Sequence, residues 1–141
     1  MKDRVFVDTN ILIYLYSVDE PEKRKMAEKM IADKDCVISV QVLNEFSSVC
    51  LRKLRIPAQQ ILAAIYEITS RMSVFLMDTD TVRQALRLCA HWNYSYYDSA
   101  ILAAAIQSGC ATLYSEDMSD GQIIENCLTI RNVLNHEQDR P

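Results

Sequence analysis

The feature that most constrains the fold of this chain is an uninterrupted apolar run of valine and phenylalanine at residues 5–7. Such a run is typical of a strand that is buried on both faces, as in a parallel sheet. Asp8 follows directly, and open α/β sheets bind ligands outside the carboxyl ends of their strands, so Asp8 is a candidate functional acid. An equally good interpretation is that Asp8 or Thr9 only caps a helix that begins near Ile11.

The length and composition are those of one helix-rich globular domain. The chain has 141 residues, of which 50% are hydrophobic and only two are glycine, and this length suffices to bury a core. Its apolar runs are too short to cross a bilayer, and the first residues lack the apolar segment of a signal peptide. We therefore expect a single domain over residues 1–141, with a polar tail from about residue 135, that acts in the cytoplasm without a membrane partner.

The cysteines predict neither a disulfide framework nor a zinc site. There are five, an odd number, and they are widely separated without a Cys-x-x-Cys pair. We expect reduced and mostly buried thiols.

The net charge of −4 argues at first against a nucleic-acid partner, because phosphates bind lysine and arginine. Acids gathered around bound cations would alter this balance and leave basic patches available. Two clusters qualify, residues 23–25 and the group Arg52, Lys53 and Arg55, and the second is a weak candidate for substrate binding. Solvated helix faces produce the same pattern and are the commoner explanation.

Short apolar segments alternate with amphipathic ones along the chain. The apolar segments predict four to five strands, at residues 5–7, 36–38, 74–77, 111–114 and 127–130. Helices are predicted between them, with Pro21 and Pro57 in first turns, Ser39 as an N-cap and Gly109 as a C-cap. This alternation indicates an α/β fold, a three-layer α/β/α sandwich with a central, mostly parallel sheet.

Helical periodicity also predicts which side chains are buried. The apolar stripes that we expect to face the core include Val18, Leu54, Val82 and Leu86. The apolar character of residues 58–72 suits a dimer face, and ordinary core packing explains it equally well.

Glu45 is an acid on the apolar side of its predicted helix. It lies three residues after Val42 and four before Val49, so helical geometry turns it towards the core. A carboxylate there must be paired, protonated or bound to a metal, because burying it alone is very costly. The alternative is a boundary position from which the side chain reaches water.

Asp98 repeats this pattern, because apolar residues follow it at helical spacing. It also matches a capping box that starts at Ser95, in which the acid only caps the helix. A first-turn acid can cap a helix and still face a cleft, so the two interpretations are compatible.

Asp117 follows the predicted strand at residues 111–114, as Asp8 follows the first strand. Glu116 and Asp120 are alternatives for this fourth acidic position. Asp120 is explained more simply by a turn, because Gly121 comes next.

The carboxyl ends of parallel strands share one edge of the sheet, so the acids that follow them should meet there. The acids expected at this edge are Asp8, Glu45, Asp98 and Asp117. Gathered carboxylates raise one another's pKa values unless a cation holds them, and Mg²⁺ or Mn²⁺ prefers oxygen ligands of this kind. Asn10 and Ser115 would support the site with an amide and a hydroxyl. Such a site fits metal-assisted cleavage of phosphodiester bonds.

In this order the residues resemble the four acidic motifs of PIN-domain nucleases. The matching segments are Asp8-Thr9-Asn10, Asn44-Glu45, Tyr97-Asp98-Ser99 and Ser115-Glu116-Asp117. The resemblance covers nearly the whole chain, and the chain is most similar to the VapC-like toxins of toxin–antitoxin pairs. It implies a Mg²⁺- or Mn²⁺-dependent endoribonuclease, usually a homodimer, that a small antitoxin inhibits by inserting a segment into the active groove.

The resemblance also implies a role for each matching residue. Metal-binding and catalytic roles fall to Asp8, Glu45, Asp98 and Asp117. Asn10 and Ser115 would support them, and Ser115 departs from the threonine that commonly begins the last motif while keeping its hydroxyl.

Two other classes of protein are alternatives. A phosphoryl-transfer enzyme of the haloacid-dehalogenase type would need a second aspartate where Asn10 stands, together with a lid domain. A noncatalytic PIN-like module would bind RNA or protein without cutting, and the presence of all four acids favours activity over this alternative.

Overall fold

The structure, a computed structural model, describes residues 2–132. Its strands are β1 (Arg4–Val7), β2 (Asp35–Ser39), β3 (Ser73–Phe75), β4 (Thr112–Tyr114), β5 (Ile123–Ile124) and β6 (Leu128–Arg131). Its helices are α1 (Thr9–Leu15), α2 (Pro21–Ile31), α3 (Val40–Arg52), α4 (Ala58–Arg71), α5 (Thr79–Trp92) and α6 (Tyr96–Gln107). The polar tail predicted from about residue 135 lies outside the described residues.

The strands form one sheet in the order β3-β2-β1-β4-β6-β5. All neighbouring pairs are parallel except β5 and β6, which are antiparallel. Val5 lies opposite Cys36 of β2 on one side and Thr112 of β4 on the other, so β1 is central. The predicted α/β sandwich with a mostly parallel sheet is confirmed.

The described part of the chain has six strands rather than the four to five that the sequence predicts, because β5 was missed. This strand has only two residues, and Ile123 is exposed, so no alternation of apolar and polar residues marks it. It pairs with β6 across a tight turn in which Glu125 and Asn126 have φ angles of 51° and 57°. Asparagine tolerates such a left-handed backbone, whereas glutamate gives no turn signal in the sequence.

The predicted helix signals are found in place. Pro21 is in the first turn of α2, and the Ser39 hydroxyl accepts a hydrogen bond of 3.3 Å from the Val42 N–H at the start of α3. Gly109 follows α6 with a φ of +78°, and its N–H donates to the Ile106 carbonyl at 3.1 Å. Glycine adopts this left-handed conformation without steric cost, which is why it ends the helix.

The core lies on both faces of the central strands. Phe6 and Val7 of β1 are fully buried, as the apolar run predicts, and α6 is buried over residues 99–105. All five cysteines are free, which agrees with the prediction of reduced thiols, although Cys127 is exposed. No helix within residues 2–132 has both the length and the apolar character needed to cross a membrane.

Four residues predicted to face the core are exposed instead, and this part of the prediction is wrong. They are Val18, Leu54, Val82 and Leu86. Val18 and Leu54 lie beyond the ends of α1 and α3, so the helical stripe does not continue to them. On α5 the buried stripe runs through Ala85 and Leu88, which leaves the neighbouring apolar positions in solvent.

A matched pair of leucine substitutions tests this assignment of the core. Leu113→Ala in β4, where the side chain is fully buried, should lower the free energy of unfolding by about 2–5 kcal/mol, because it leaves a cavity. Leu86→Ala on α5, where the residue is 55% exposed, should cost less than about 1 kcal/mol. Urea denaturation measures both values, and equal losses would contradict the assignment.

Candidate active site

One cleft at the carboxyl edge of the sheet contains all four predicted acids. Its volume is about 230 Å³, and it is lined by Asp8, Thr9, Asn10, Glu45, Ser48, Val49, Arg52, Asp98 and Asp117. The acids come from the end of β1, from α3, from α6 and from the loop after β4. The structure therefore brings together side chains that are far apart in the sequence.

Asp8 is the most buried of these acids, with 8% of its surface exposed. Its Oδ1 accepts a hydrogen bond of 2.7 Å from the Thr9 N–H, and its Oδ2 accepts one of 2.9 Å from the Ser115 hydroxyl. Burial, helped by the charges of Asp98 and Glu45, raises the pKa of Asp8 to about 6, and the two hydrogen bonds partly oppose this rise. Asp8 thus caps α1 and also faces the cleft.

Glu45 is half-buried and held by donors from two elements. Its Oε2 accepts a hydrogen bond of 2.9 Å from the Thr9 hydroxyl, and its Oε1 accepts one of 2.8 Å from the Gln41 amide. The same amide also donates to the Tyr97 carbonyl at 3.3 Å, which links the starts of α3 and α6. The sequence had indicated Thr9 only as a cap, because nothing local shows that its hydroxyl reaches a residue on α3.

Asp98 occupies the first turn of α6 without being its cap. The Ser95 hydroxyl caps this helix and accepts a hydrogen bond of 3.1 Å from the Asp98 N–H. The Asp98 carboxylate lines the cleft, and its pKa is raised by partial burial and by the charges of Asp117 and Glu45. The inward orientation predicted from helical spacing is therefore observed.

Asp117 is the fourth acid in the cleft, where its Oδ2 accepts a hydrogen bond of 2.6 Å from the Asn10 amide. The two alternatives lie elsewhere. Glu116 binds Tyr14 and Lys23, and the Asp120 carboxylate accepts a hydrogen bond of 2.8 Å from the Asn132 N–H.

Of the weak candidates for substrate binding, only Arg52 lines the cleft. It lies seven residues after Glu45 on α3, which places both side chains on the same face of that helix. Lys53 is at the C-cap of α3, and Arg55 lies in the following turn with a φ of 53°. Neither belongs to the cleft lining.

The chemistry of the cleft suits a hard divalent cation. Its possible ligand atoms are carboxylate, amide and hydroxyl oxygens. The charges of neighbouring acids raise the pKa values of Asp8 and Asp98. Within residues 2–132, however, no three acidic, histidine or cysteine side chains are close enough to form a ready-made metal site.

Comparisons with known proteins agree with this arrangement. The PIN domain family matches residues 5–119. This chain therefore belongs to the PIN domain family. A search of curated proteins gives no match.

Several solved structures are similar in fold. VapC20 from Mycobacterium tuberculosis, described as a sarcin-ricin loop cleaving toxin, is 22% identical with a TM-score of 0.65, and the match covers 77% of this chain and 86% of that one. A toxin–antitoxin complex from Klebsiella pneumoniae gives 21% identity and a TM-score of 0.67, with 89% and 95% covered. DNA-bound VapBC from Salmonella typhimurium gives 20% identity and a TM-score of 0.67, with 93% and 98% covered. At these identities the likeness shows the fold alone.

The buried carboxyl of Asp8 should make stability depend on pH. Because burial raises its pKa from 3.8 to about 6, the folded protein binds this proton more tightly than the unfolded chain does. The stabilising contribution is therefore complete below about pH 4 and is lost as the pH rises through about 6. Asp8→Asn keeps an oxygen acceptor for the Thr9 N–H but carries no charge, so in EDTA it should be more stable than wild type at about pH 8.

Urea denaturation of the two proteins at several pH values measures this effect. The difference in the free energy of unfolding should disappear as the pH falls towards about 4. A difference that is the same at every pH, or a less stable variant at about pH 8, would contradict the burial of a charged group at this position.

Proposed function

We propose that this PIN-domain protein is a Mg²⁺- or Mn²⁺-dependent endoribonuclease that cleaves RNA phosphodiester bonds and acts as the toxin of a toxin–antitoxin pair. The observation that carries the proposal is the convergence of four acids on one cleft that also contains an arginine. Carboxylates gathered in this way repel one another, so they favour a bound cation and a reaction that uses one.

In this proposal the ion is held by Asp8, Glu45, Asp98 and Asp117. When bound, it supplies Lewis-acid catalysis, which activates water and offsets negative charge on the phosphate. The proposed ion is Mg²⁺ or Mn²⁺, the hard cations that oxygen ligands select.

The supporting residues fix the orientation of the acids. The Ser115 hydroxyl donates to Asp8 and also accepts from the Met118 N–H at 3.4 Å, which makes it a fixed donor rather than a rotating one. The Asn10 amide holds Asp117, and the Thr9 hydroxyl holds Glu45. Asp8, Glu45 and Asp117 therefore each receive a side-chain hydrogen bond that leaves further oxygen lone pairs for a ligand.

Arg52 is the group proposed to bind the substrate. Among the described residues, Arg52 is the one basic residue that lines this cleft with four acids, and a planar guanidinium pairs well with phosphate oxygens. An RNA phosphate next to the cleaved bond would bind to Arg52. Its negative charge would then be kept apart from the carboxylates. Lys53 and Arg55 follow Arg52 in the sequence and are weaker candidates.

The similar structures support the toxin assignment and the proposed partners. The neighbours from Klebsiella pneumoniae and Salmonella typhimurium are toxin–antitoxin assemblies, so a small antitoxin is the proposed inhibitor of this chain. A homodimer remains a prediction, and exposed Leu62 and Tyr66 on α4 are compatible with the dimer face considered for residues 58–72. The cytoplasm, where RNA and a co-expressed antitoxin would meet the protein, is the proposed place of action.

One observation favours a second candidate, a PIN-like module that binds RNA or protein without cutting it. The described residues contain no ready-made cluster of metal ligands. A module that binds without cutting would not need one. Metal-dependent cleavage distinguishes the two candidates.

The acids are tested by charge-neutral substitution. Wild type should cleave labelled RNA with Mg²⁺ or Mn²⁺ and should lose this activity in EDTA. Asp8→Asn and Asp98→Asn should each lower the rate by at least about 100-fold, because even the loss of residues that only orient metal ligands costs about 10–100-fold. Gel analysis of end-labelled RNA measures the rates.

The matched control is Asp80→Asn on α5, which removes the same charge from an exposed acid paired with Arg83 at 2.6 Å. Its activity should equal that of wild type. RNA cleavage that survives both cleft substitutions would refute the assigned site, and cleavage that is insensitive to EDTA would refute the metal requirement.

Arg52 is tested by RNA binding in the Asp98→Asn background, where cleavage does not interfere. Arg52→Gln should weaken binding and reduce the slope of log K against log salt by about 0.7, the value for one phosphate contact on a single strand. Fluorescence anisotropy at several salt concentrations measures the slope. Arg87→Gln, an exposed site on α5, should leave the slope unchanged, and equal slopes for the two variants would exclude Arg52 as a phosphate contact.

A further inference from the structure

Three side chains from three different elements form a cluster beside the cleft but outside it. Tyr14 is on α1, Lys23 is on α2, and Glu116 is in the loop after β4. The Tyr14 hydroxyl donates to the Glu116 Oε1 at 2.7 Å, and the Lys23 Nζ lies 3.4 Å from the Oε2. Lys23 also donates to the Tyr14 hydroxyl at 3.1 Å and lies 4.7 Å from the centre of its ring. We call these three residues the Glu116 cluster.

The Glu116 cluster differs from an ordinary surface ion pair. The side chains of Lys23 and Glu116 are only 27% and 25% exposed, and each of the three residues contacts both of the others. Exposed pairs contribute little because water screens them and two mobile side chains must be ordered. In this cluster the tyrosine ring shields the lysine, and the charged hydrogen bonds are correspondingly stronger.

Glu116 is the immediate neighbour of Asp117, and both carboxylates accept hydrogen bonds from side chains of the same helix. Asn10 binds Asp117 and Tyr14 binds Glu116, and these two residues are four apart on α1. Side chains four apart lie on one face of a helix. Helix α1 thus contacts the loop at two adjacent points, one inside the cleft and one in the Glu116 cluster.

The backbone of the same loop is held independently. The side-chain amide of Asn132 donates to the Glu116 carbonyl at 2.9 Å, so both the side chain and the backbone of Glu116 have partners. Further along, the Ser119 N–H donates to the Tyr94 hydroxyl at 3.3 Å. Asp117 lies between these contacts and is itself exposed, so its direction depends on the Asn10 hydrogen bond and on how residue 116 is fixed.

We propose that Glu116 is a positioning residue and not a ligand, and that the Glu116 cluster holds the loop so that Asp117 faces the proposed metal ion. The inference rests on the proposed function, since it assigns a purpose to Asp117 in metal binding. It makes Tyr14 and Lys23, which lie outside the cleft, determinants of metal affinity.

Lys23 provides a test in which two explanations predict opposite signs. Removing a cation near an acidic cleft should by Coulomb's law strengthen the binding of Mn²⁺. If Lys23 holds the loop in place, its removal should weaken that binding instead. If Glu116 were itself a ligand, Lys23→Met would release it from its ion pair and strengthen binding.

The experiment is calorimetric titration of the whole protein with Mn²⁺, without RNA. Glu116→Gln, Lys23→Met and Tyr14→Phe should each raise the dissociation constant about 10-fold, the lower end of the effect of groups that orient metal ligands. The double variant Tyr14→Phe/Glu116→Gln should have a Mn²⁺ dissociation constant no higher than the higher of the two single-variant values. The reason is that both substitutions remove the same interaction. Lys23→Arg, which keeps the charge, should bind within about 3-fold of wild type.

Lys25→Met is the matched control, because it removes the same charge from an exposed position on α2. It should not weaken Mn²⁺ binding. Melting temperatures in EDTA show whether each variant is folded. If the other variants unfold, Tyr14→Phe still provides the test, because it removes only one hydroxyl. Hydrogen exchange of residues 116–120 in the metal-free protein should be faster in Glu116→Gln than in wild type.

The possible results separate this inference from the proposed function. Wild type that binds no Mn²⁺ would overturn the proposed metal site and this inference with it. Wild type that binds Mn²⁺, with unchanged or tighter binding in Lys23→Met, would overturn the inference alone. Unchanged exchange of the loop in Glu116→Gln would do the same, while weaker binding with faster exchange would support it.

Discussion

Repulsion between carboxylates at one edge of a parallel sheet is the constraint on which the rest of this structure depends. Asp8 is buried at the end of the central strand, and burial together with the charges of Asp98 and Glu45 raises its pKa to about 6. A fold that keeps such a group must offer it donors. The Thr9 N–H and the Ser115 hydroxyl do so, and the second of these comes from a residue more than a hundred positions later in the chain.

The same principle explains why so many of the long-range hydrogen bonds lie around the cleft. Thr9 reaches Glu45, Asn10 reaches Asp117, and Tyr14 reaches Glu116, so the short helix α1 supplies a donor to three different acids. A single helix that follows the central strand is well placed to do this, because both neighbouring strands end beside it. The short helix that follows the first strand thus organises the site.

Much of the fold and of the cleft could be predicted from the sequence, and the failures have physical causes. Local signals located Ser39, Pro21 and Gly109 at helix ends, and the order of the acids pointed to one edge of the sheet. The strand β5 was missed because two residues carry no periodicity. Val82 and Leu86 were expected in the core because periodicity shows which residues share a face and leaves open how wide a face the neighbouring helix covers.

The sequence by itself determined the α/β alternation and the chemical type of the site, because burial of apolar strands and the chemistry of carboxylates are properties of the residues themselves. Only the tertiary structure decided which of Asp117, Glu116 and Asp120 faces the cleft, and which of Arg52, Lys53 and Arg55 lines it. These residues are neighbours of the same type, so no local pattern separates them. Among the acids, Asp117 and Glu116 are separated by partners from distant elements, Asn10, Tyr14 and Lys23, whose positions exist only once the sheet has formed.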